Sequence, residues 1–92
     1  MDLLTETKTK QLYKGLLSLK NERECMMFLR DLLTEEEIKE FANRFEVAKL
    51  LAEKKPYLEI VKSTGMSSTT IARIQKWLTN GMGGYKLVLK RI

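Results

Sequence analysis

A run of four hydroxyl residues, from Ser67 to Thr70, stands at the start of an amphipathic segment that ends near Leu78. Its members are Ser67, Ser68, Thr69 and Thr70. Serine and threonine are mediocre helix formers, and capping a helix requires only one hydroxyl group. Short hydroxyl side chains also let a backbone approach DNA closely, where they hydrogen-bond bases or phosphates, and threonine methyl groups contact thymine. The run therefore predicts the amino end of a helix that contacts DNA.

The segment after this run divides into an apolar side and a polar side. Ile71, Ile74 and Leu78 share one side of the helix and predict a hydrophobic seam that packs against a preceding helix. Four residues lie opposite the seam and are expected to point outward, towards a major groove: Thr69, Arg73, Lys76 and Asn80. On this outer face Arg73 and Lys76 are placed for phosphate contacts, and Arg73 also for guanine.

The residues before the hydroxyl run predict the other half of a helix-turn-helix. Pro56 ends one helix and permits the next to begin, residues 57–64 form a short helix, and Gly65 fits a left-handed cap. Ser67 then caps a helix that runs to about Asn80. Two short helices joined by a glycine-containing turn are a helix-turn-helix, predicted here over residues 57–80. Lys62, in its first helix, adds another candidate DNA contact.

The charge of the chain is concentrated in its C-terminal part. The 92 residues carry a formal net charge of +5, and residues 1–56 contain eleven basic and eleven acidic side chains. The excess therefore lies entirely in residues 57–92, where Glu59 is the single carboxylate side chain. This asymmetry favours a polyanionic partner for the C-terminal part, and a solvated basic surface without a partner is the alternative.

Composition argues against catalysis and metal binding. The chain has no histidine and one cysteine, Cys25, which excludes Cys/His metal clusters, a Ser–His or Cys–His dyad and an internal disulfide. Cys25 is expected to be a small buried hydrophobe.

The glutamates at positions 35–37 suit a helix start, and the GMGG sequence at 81–84 lacks the Lys-Ser/Thr of a phosphate loop. We expect no enzyme activity and no cofactor. Without a signal-peptide or membrane-length apolar run, we expect a soluble cytoplasmic protein.

The remaining segments predict an all-α scaffold that needs a second chain. Residues 6–19 form a first helix, a capping box at Asn21 and Glu24 opens a second, and another at Thr34 and Glu37 opens a long helix over 35–54. The apolar stripe of this long helix consists of Ile38, Phe41, Ala42, Phe45, Ala48 and Ala52. It is widened by Val47, Leu50 and Leu51. A 92-residue chain with 43% hydrophobic residues is marginal as a monomer, so a partner chain covering part of this surface is one explanation.

We predict a single helical domain over residues 1–92, with 1–55 as a dimerisation scaffold and 57–80 as the helix-turn-helix. Residues 81–92 form a glycine-hinged C-terminal helix. Its apolar residues are expected to dock on the dimer body: Tyr85, Val88, Leu89 and Ile92. Its basic residues are expected to add phosphate contacts: Lys86, Lys90 and Arg91.

Two blocks of sequence resemble the Trp repressor superfamily, and the resemblance extends from Leu32 to Leu78. LLTEEEIKEFANRFEVAKLL is similar to the long central helix of that family, with its Leu-Thr start and its arginine. EIVKSTGMSSTTIARIQKWL is similar to its helix-turn-helix, with the glycine turn and the Thr-Ile-x-Arg core. The whole chain looks like the YerC/YecD-type branch of small Trp-repressor-like proteins. The resemblance implies a bundle of about six helices that forms an intertwined homodimer and binds a pseudo-palindromic DNA site.

The resemblance also implies a remodelled corepressor pocket. Polar or cationic members of the family's tryptophan site match this sequence at Thr34, Arg44, Thr70 and Arg73. Ile74 stands where that pocket has glycine, and Trp77 where it has serine. A branched side chain and an indole leave little room for a free amino acid, so we expect no tryptophan binding and leave another small-molecule effector open. Trp77 is expected to orient the DNA-contacting helix as a wedge, or simply to pack in the core.

The sequence thus predicts a sequence-specific double-stranded DNA-binding transcriptional regulator, expected to repress, that reads the major groove as a dimer. The alternative is a protein-protein interaction module whose helix-turn-helix is vestigial and whose apolar stripe binds the partner. RNA binding is disfavoured because the chain lacks interleaved aromatic residues on a platform.

Overall fold

The computed structural model describes residues 2–92, and every regular element in them is helical. A short 3-10 helix, Leu3–Thr5, precedes six α-helices. These are α1 (Thr7–Leu17), α2 (Glu22–Leu32), α3 (Glu35–Ala52), α4 (Tyr57–Thr64), α5 (Ser68–Asn80) and α6 (Gly84–Arg91). The all-α prediction with about six helices is confirmed. Across residues 2–92, no helix has the length and apolar character needed to cross a membrane.

Side-chain caps begin α2 and α3, as predicted. At α3 the capping box is reciprocal, because the Thr34 hydroxyl accepts the Glu37 N–H at 3.1 Å and the Glu37 carboxylate accepts the Thr34 N–H at 2.9 Å. At α2 the Asn21 side chain accepts the Glu24 N–H at 2.9 Å. The Glu24 carboxylate bonds the N–H of Lys20 instead of that of Asn21, also at 2.9 Å. Both helix starts are therefore encoded locally.

The end of α3 lies two residues before the predicted position 54. Lys54 adopts a left-handed backbone conformation with φ of +66°. Its N–H donates to the Leu51 carbonyl at 3.0 Å, and the Lys55 N–H donates to the Leu50 carbonyl at 3.0 Å. This pair of bonds is a Schellman motif, which satisfies the last carbonyls of a helix by reversing the chain. The reversal ends α3 at Ala52, before Pro56 is reached.

The buried core lies in the second of two compact units, which divide between Ile38 and Lys39. Seven side chains from α3, α4 and α5 form it: Val47, Ala48, Leu51, Ile60, Ile71, Ile74 and Leu78. From α6, Tyr85 and Leu89 pack against this core and are partly buried. Val88 and Ile92, which were expected to dock with them, are exposed, so only one edge of α6 is covered within the chain.

On α3 the predicted apolar stripe is only partly buried. Val47, Ala48 and Leu51 are in the core, whereas Phe41 is 50% exposed. Ala42 and Ala52 are exposed as well. Only Ala48 of the predicted stripe is buried, and Val47 and Leu51 come from its widened edge, so the inward face of α3 is rotated away from the centre of the stripe. The spacing of apolar residues does not distinguish side chains buried in this chain from side chains that another chain would cover.

The first unit, up to Ile38, contains no buried side chain among its described residues. Cys25, predicted to be buried, is only partly covered. The Tyr13 hydroxyl donates to the Leu4 carbonyl at 2.9 Å, which joins α1 to the short 3-10 helix. A side chain at Gly15 would touch the Phe28 ring, so α1 and α2 approach closely there. Nine large apolar side chains of this unit are exposed: Leu3, Leu4, Leu12, Tyr13, Leu16, Leu17, Met26, Met27 and Leu32.

Candidate nucleic-acid interface

The turn between α4 and α5 is built by Gly65 and the hydroxyl of Thr64. Gly65 has φ of +71°, which glycine adopts without strain, and its N–H donates to the Val61 carbonyl at 2.9 Å. The Thr64 hydroxyl donates to the Ile60 carbonyl at 2.7 Å and accepts the Met66 N–H at 3.2 Å. These bonds fix how α5 leaves α4, as the helix-turn-helix prediction requires.

Two residues of the hydroxyl run form hydrogen bonds that cap α5, and the other two have hydroxyls without a hydrogen bond in residues 2–92. The Ser67 hydroxyl accepts the Thr70 N–H at 3.2 Å and donates to the Thr70 hydroxyl at 3.0 Å, so both residues form the cap of α5. Within residues 2–92, the side chains of Ser68 and Thr69 make no hydrogen bond. Both are exposed at the first turn. Capping therefore accounts for only half of the run.

The predicted seam and outer face of α5 are found as two opposite sides of the helix. Ile71, Ile74 and Leu78 are 0%, 4% and 8% exposed, which anchors α5 on the core. All four residues of the outer face are exposed: Thr69, Arg73, Lys76 and Asn80. Among the described residues, neither Arg73 nor Lys76 forms an ion pair, since both ion pairs lie elsewhere. The two cations are therefore available to an external anion.

Of the seven residues predicted to contact DNA, six are exposed and Thr70 is half-buried. Lys62, the one member outside the α5 region, lies on the last turn of α4 and is also without an ion pair in the described part of the chain. The structure thus brings the Ser67–Thr70 run, Arg73 and Lys76 onto one helix and Lys62 onto its helix-turn-helix partner. Their contacts with DNA stay a prediction.

The four residues predicted for the remodelled corepressor pocket have separate local roles. Thr34 caps α3. The Arg44 Nε donates to a Glu40 carboxylate oxygen at 2.9 Å, one turn away on the same helix. Ile74 is a core side chain, whereas Trp77 is 56% exposed. Trp77 is therefore not part of this chain's core, and its role as a wedge stays a prediction.

A cluster of lysines beside α5 was missed by the sequence analysis. A cleft of about 550 Å³ is lined by Lys54 and Lys55 after α3 and by Lys86 of α6. Its other lining side chains include Tyr57, Gln75 and Thr79, and no carboxylate from residues 2–92 lines it. We call it the lysine cleft. Of the three lysines, the sequence predicts a phosphate contact for Lys86 alone. It places Lys54 and Lys55 at the end of a helix, because their proximity to Lys86 depends on tertiary packing.

Comparison with known proteins agrees with this geometry. The family model described as Trp repressor protein matches residues 7–92. A protein of Bacillus subtilis (strain 168), named as the uncharacterized protein YerC, is 39% identical over 92 residues, which is all of this chain and 88% of that protein.

Two crystal structures have the same fold. A TrpR-like protein from Eubacterium eligens is 41% identical with a TM-score of 0.92, and the match covers 96% of this chain and 91% of that one. A proposed Trp repressor from Staphylococcus aureus is 33% identical with a TM-score of 0.90, and the match covers 96% of this chain and 88% of that one.

Proposed function

The chain belongs to the Trp repressor family, and we propose that it is a sequence-specific double-stranded DNA-binding transcriptional regulator that acts as a homodimer in the cytoplasm. Proteins of this family are regulators and not enzymes. The finer statement, that this chain reads the major groove and represses transcription, is our proposal and rests on α5.

One observation carries the proposal: the buried seam of α5 turns free hydroxyls and unpaired cations outward. Burial of Ile71, Ile74 and Leu78 fixes the rotation of the helix about its axis. Thr69, Arg73 and Lys76 consequently face solvent, at the end and side of the helix that such motifs insert into the major groove. The positive charge excess of residues 57–92 adds attraction for a polyanion.

The exposed apolar surface of α1 and α2 supports the homodimer. Nine large apolar side chains in residues 2–38 lie uncovered, and solvent exposure of this many is unfavourable in a small soluble unit. A further open groove of about 560 Å³ is lined by four apolar and two charged residues: Met26, Met27, Leu29, Ile38, Arg30 and Asp31. In the proposed homodimer a second copy of the chain covers this surface. The two α5 helices must then lie about 34 Å apart to enter successive major grooves.

Ile74 and Trp77 support regulation without tryptophan. Ile74 is packed in the core, so its side chain cannot move aside to make room for a ligand. Trp77 presents its indole on the flank of α5 that also carries Thr70 and Arg73. In addition, the Arg44 guanidinium is paired with Glu40 and lies 5.9 Å from the centroid of the Phe41 ring. We propose that the indole occupies the space that a corepressor would fill.

Selection of duplexes from a random pool by the purified protein tests this function. We expect an enriched pseudo-palindrome with half-sites about 10 base pairs apart, identical with and without added L-tryptophan. Recovery of no common site, at low salt as well as at moderate salt, would contradict the proposed function. Enrichment only when tryptophan is present would contradict the corepressor-free part alone.

The exposed apolar residues of α1 and α2 favour one second candidate, a protein-protein interaction module with a vestigial helix-turn-helix. Salt distinguishes the two functions. Binding to DNA weakens by orders of magnitude between about 50 and about 200 mM salt because counterions are released from phosphates. An apolar protein contact changes little over the same range.

A further inference from the structure

Three cations from two segments of the chain line the lysine cleft. Lys54 and Lys55 come from the reversal after α3, and Lys86 comes from α6. No carboxylate lines the cleft, and across residues 2–92 none of the three ammonium groups forms an ion pair. Like charges repel when they are held together without a counter-charge. The cleft therefore favours an anion that is not part of this chain.

Lys54 occupies a left-handed backbone position that favours glycine or asparagine over lysine. Its φ of +66° is the left-handed conformation at the C′ position of the Schellman motif, where glycine or asparagine is ordinarily found. Lys54 is the sole residue other than glycine with a positive φ in the described chain. A lysine in this conformation adds strain that glycine would remove, and its side chain lines the cleft. Local strain that is retained at a charged site points to a role for the side chain.

The polar side chains of α5 in the cleft complete a site for a phosphate group. The Gln75 amide donates to the Thr79 hydroxyl oxygen at 2.8 Å, which leaves the Thr79 hydroxyl free to donate outward. Around the helix axis, Gln75 and Thr79 lie between the seam and the outer face, on the flank opposite Trp77. The cleft consequently lies beside the outer face of α5, which is the face that we propose to enter the major groove.

We propose that the lysine cleft binds a phosphate group, through the ammonium groups of Lys54, Lys55 and Lys86 and the hydroxyl of Thr79. The source that its position favours is a backbone phosphate of the bound duplex, which rests on the proposed function. A free phosphorylated small molecule offers the same chemistry. The experiment below has one arm for each source.

The first arm measures duplex affinity by fluorescence anisotropy over a salt series. The proposed homodimer carries two clefts, so Lys54→Gly, Lys55→Gln and Lys86→Gln should each weaken binding to all duplexes alike and reduce the magnitude of the salt slope by up to about 1.8. Lys54→Arg keeps the charge and should retain the wild-type slope, as should Lys39→Gln, which removes an exposed lysine that does not line the cleft. Lys54→Gly removes the strain of a left-handed lysine, so the melting temperature of this variant should be no lower than that of the wild type. Its loss of binding then cannot be attributed to unfolding.

The second arm titrates the free protein with pyrophosphate at constant ionic strength, using the fluorescence of the single tryptophan and calorimetry. Saturable binding that Lys54→Gly abolishes and Lys54→Arg retains would assign the cleft to a free phosphorylated ligand. An effect of the cleft variants in either arm supports the proposal and identifies the source.

The cleft proposal alone would be overturned by two results together: all three charge-removing variants bind duplex with wild-type affinity, and the wild-type protein does not bind pyrophosphate. Failure of the wild-type protein to bind any duplex would instead overturn the proposed function, and the pyrophosphate arm would still decide the cleft.

Discussion

The hydroxyl oxygens of Ser67 and Thr70 lie 3.0 Å apart, and the Ser67 hydroxyl also accepts the Thr70 N–H. These bonds close the first turn of α5 from within the chain, so the turn is formed before any partner binds. Ser68 and Thr69 lie between the two bonded residues with free, exposed hydroxyls. A preformed turn that presents two free hydroxyls loses little conformational entropy when it meets a ligand.

Ser67→Ala and Thr69→Ala should separate stability from binding. Ser67→Ala removes the cap and should lower the free energy of unfolding by about 1 kcal/mol. Thr69→Ala should change stability by less than about 0.5 kcal/mol, because the side chain is exposed and unbonded, but should weaken binding to the selected duplex by about tenfold. Urea denaturation and anisotropy measure the two quantities. Unchanged duplex affinity in Thr69→Ala would remove Thr69 from the interface.

Arg73 and Lys76 should contribute to binding in different ways. Arg73→Ala is expected to relax specificity at one base pair of each half-site at a cost of about 1–3 kcal/mol per contact, since a guanidinium can contact guanine with two hydrogen bonds. Lys76→Ala should weaken binding equally for all sequences and, because the proposed dimer loses one phosphate contact from each protomer, reduce the magnitude of the salt slope by about 1.8. Competition anisotropy with single-base variants of the selected site measures both effects. If Arg73→Ala lost the same affinity for every duplex, Arg73 would contact phosphate only.

Local sequence signals predicted the helix-turn-helix accurately. The bounds of α4 and α5 agree with the prediction because each end has its own chemical cause: Pro56 before α4, Gly65 after it and the Ser67 cap before α5. The seam was also predicted correctly, since Ile71, Ile74 and Leu78 follow the helical period and are buried. These features depend on neighbours in sequence.

Features that depend on side-chain rotamers or on distant residues could not be predicted. The sequence identified Ser67 as the cap of α5, but four adjacent hydroxyls do not indicate that the Thr70 hydroxyl bonds to it, because that bond depends on side-chain rotamers. The exposure of Trp77 and Phe41 depends on which chain covers them, and apolar character alone gives the same expectation for either case. Similarly, Lys86 is thirty-one residues after Lys55, and only the packing of α6 brings both to one cleft.

The wild-type protein should produce no saturable heat when it is titrated with millimolar L-tryptophan. Ile74 is 4% exposed in the core and Trp77 carries an indole on the adjacent flank of α5, so we expect the corepressor space to be filled. Calorimetry of Trp77→Ala provides the comparison, because it removes the indole and leaves the core side chains in place. Saturable heat with the wild-type protein would show that the pocket is open and would remove the wedge role of Trp77.

Leu17→Glu should weaken the proposed homodimer. Leu17 is 85% exposed in the single chain, so a charge at this position should disturb the fold of that chain little. In the proposed dimer the leucine is covered, and losing its burial should raise the dissociation constant by at least about tenfold. Sedimentation equilibrium measures this change, and circular dichroism at several protein concentrations shows whether helices are lost with the dimer.

Gln11→Glu is the matched control for Leu17→Glu. It adds the same charge at an exposed position of α1 without removing an apolar side chain, so it should sediment like the wild-type protein. If Leu17→Glu and Gln11→Glu both sediment as wild type, Leu17 lies outside the interface. A wild-type protein that sediments at the mass of one chain, with its helical signal unchanged on dilution, would contradict the homodimer. The apolar surface of α1 and α2 would then have to be covered by a different partner.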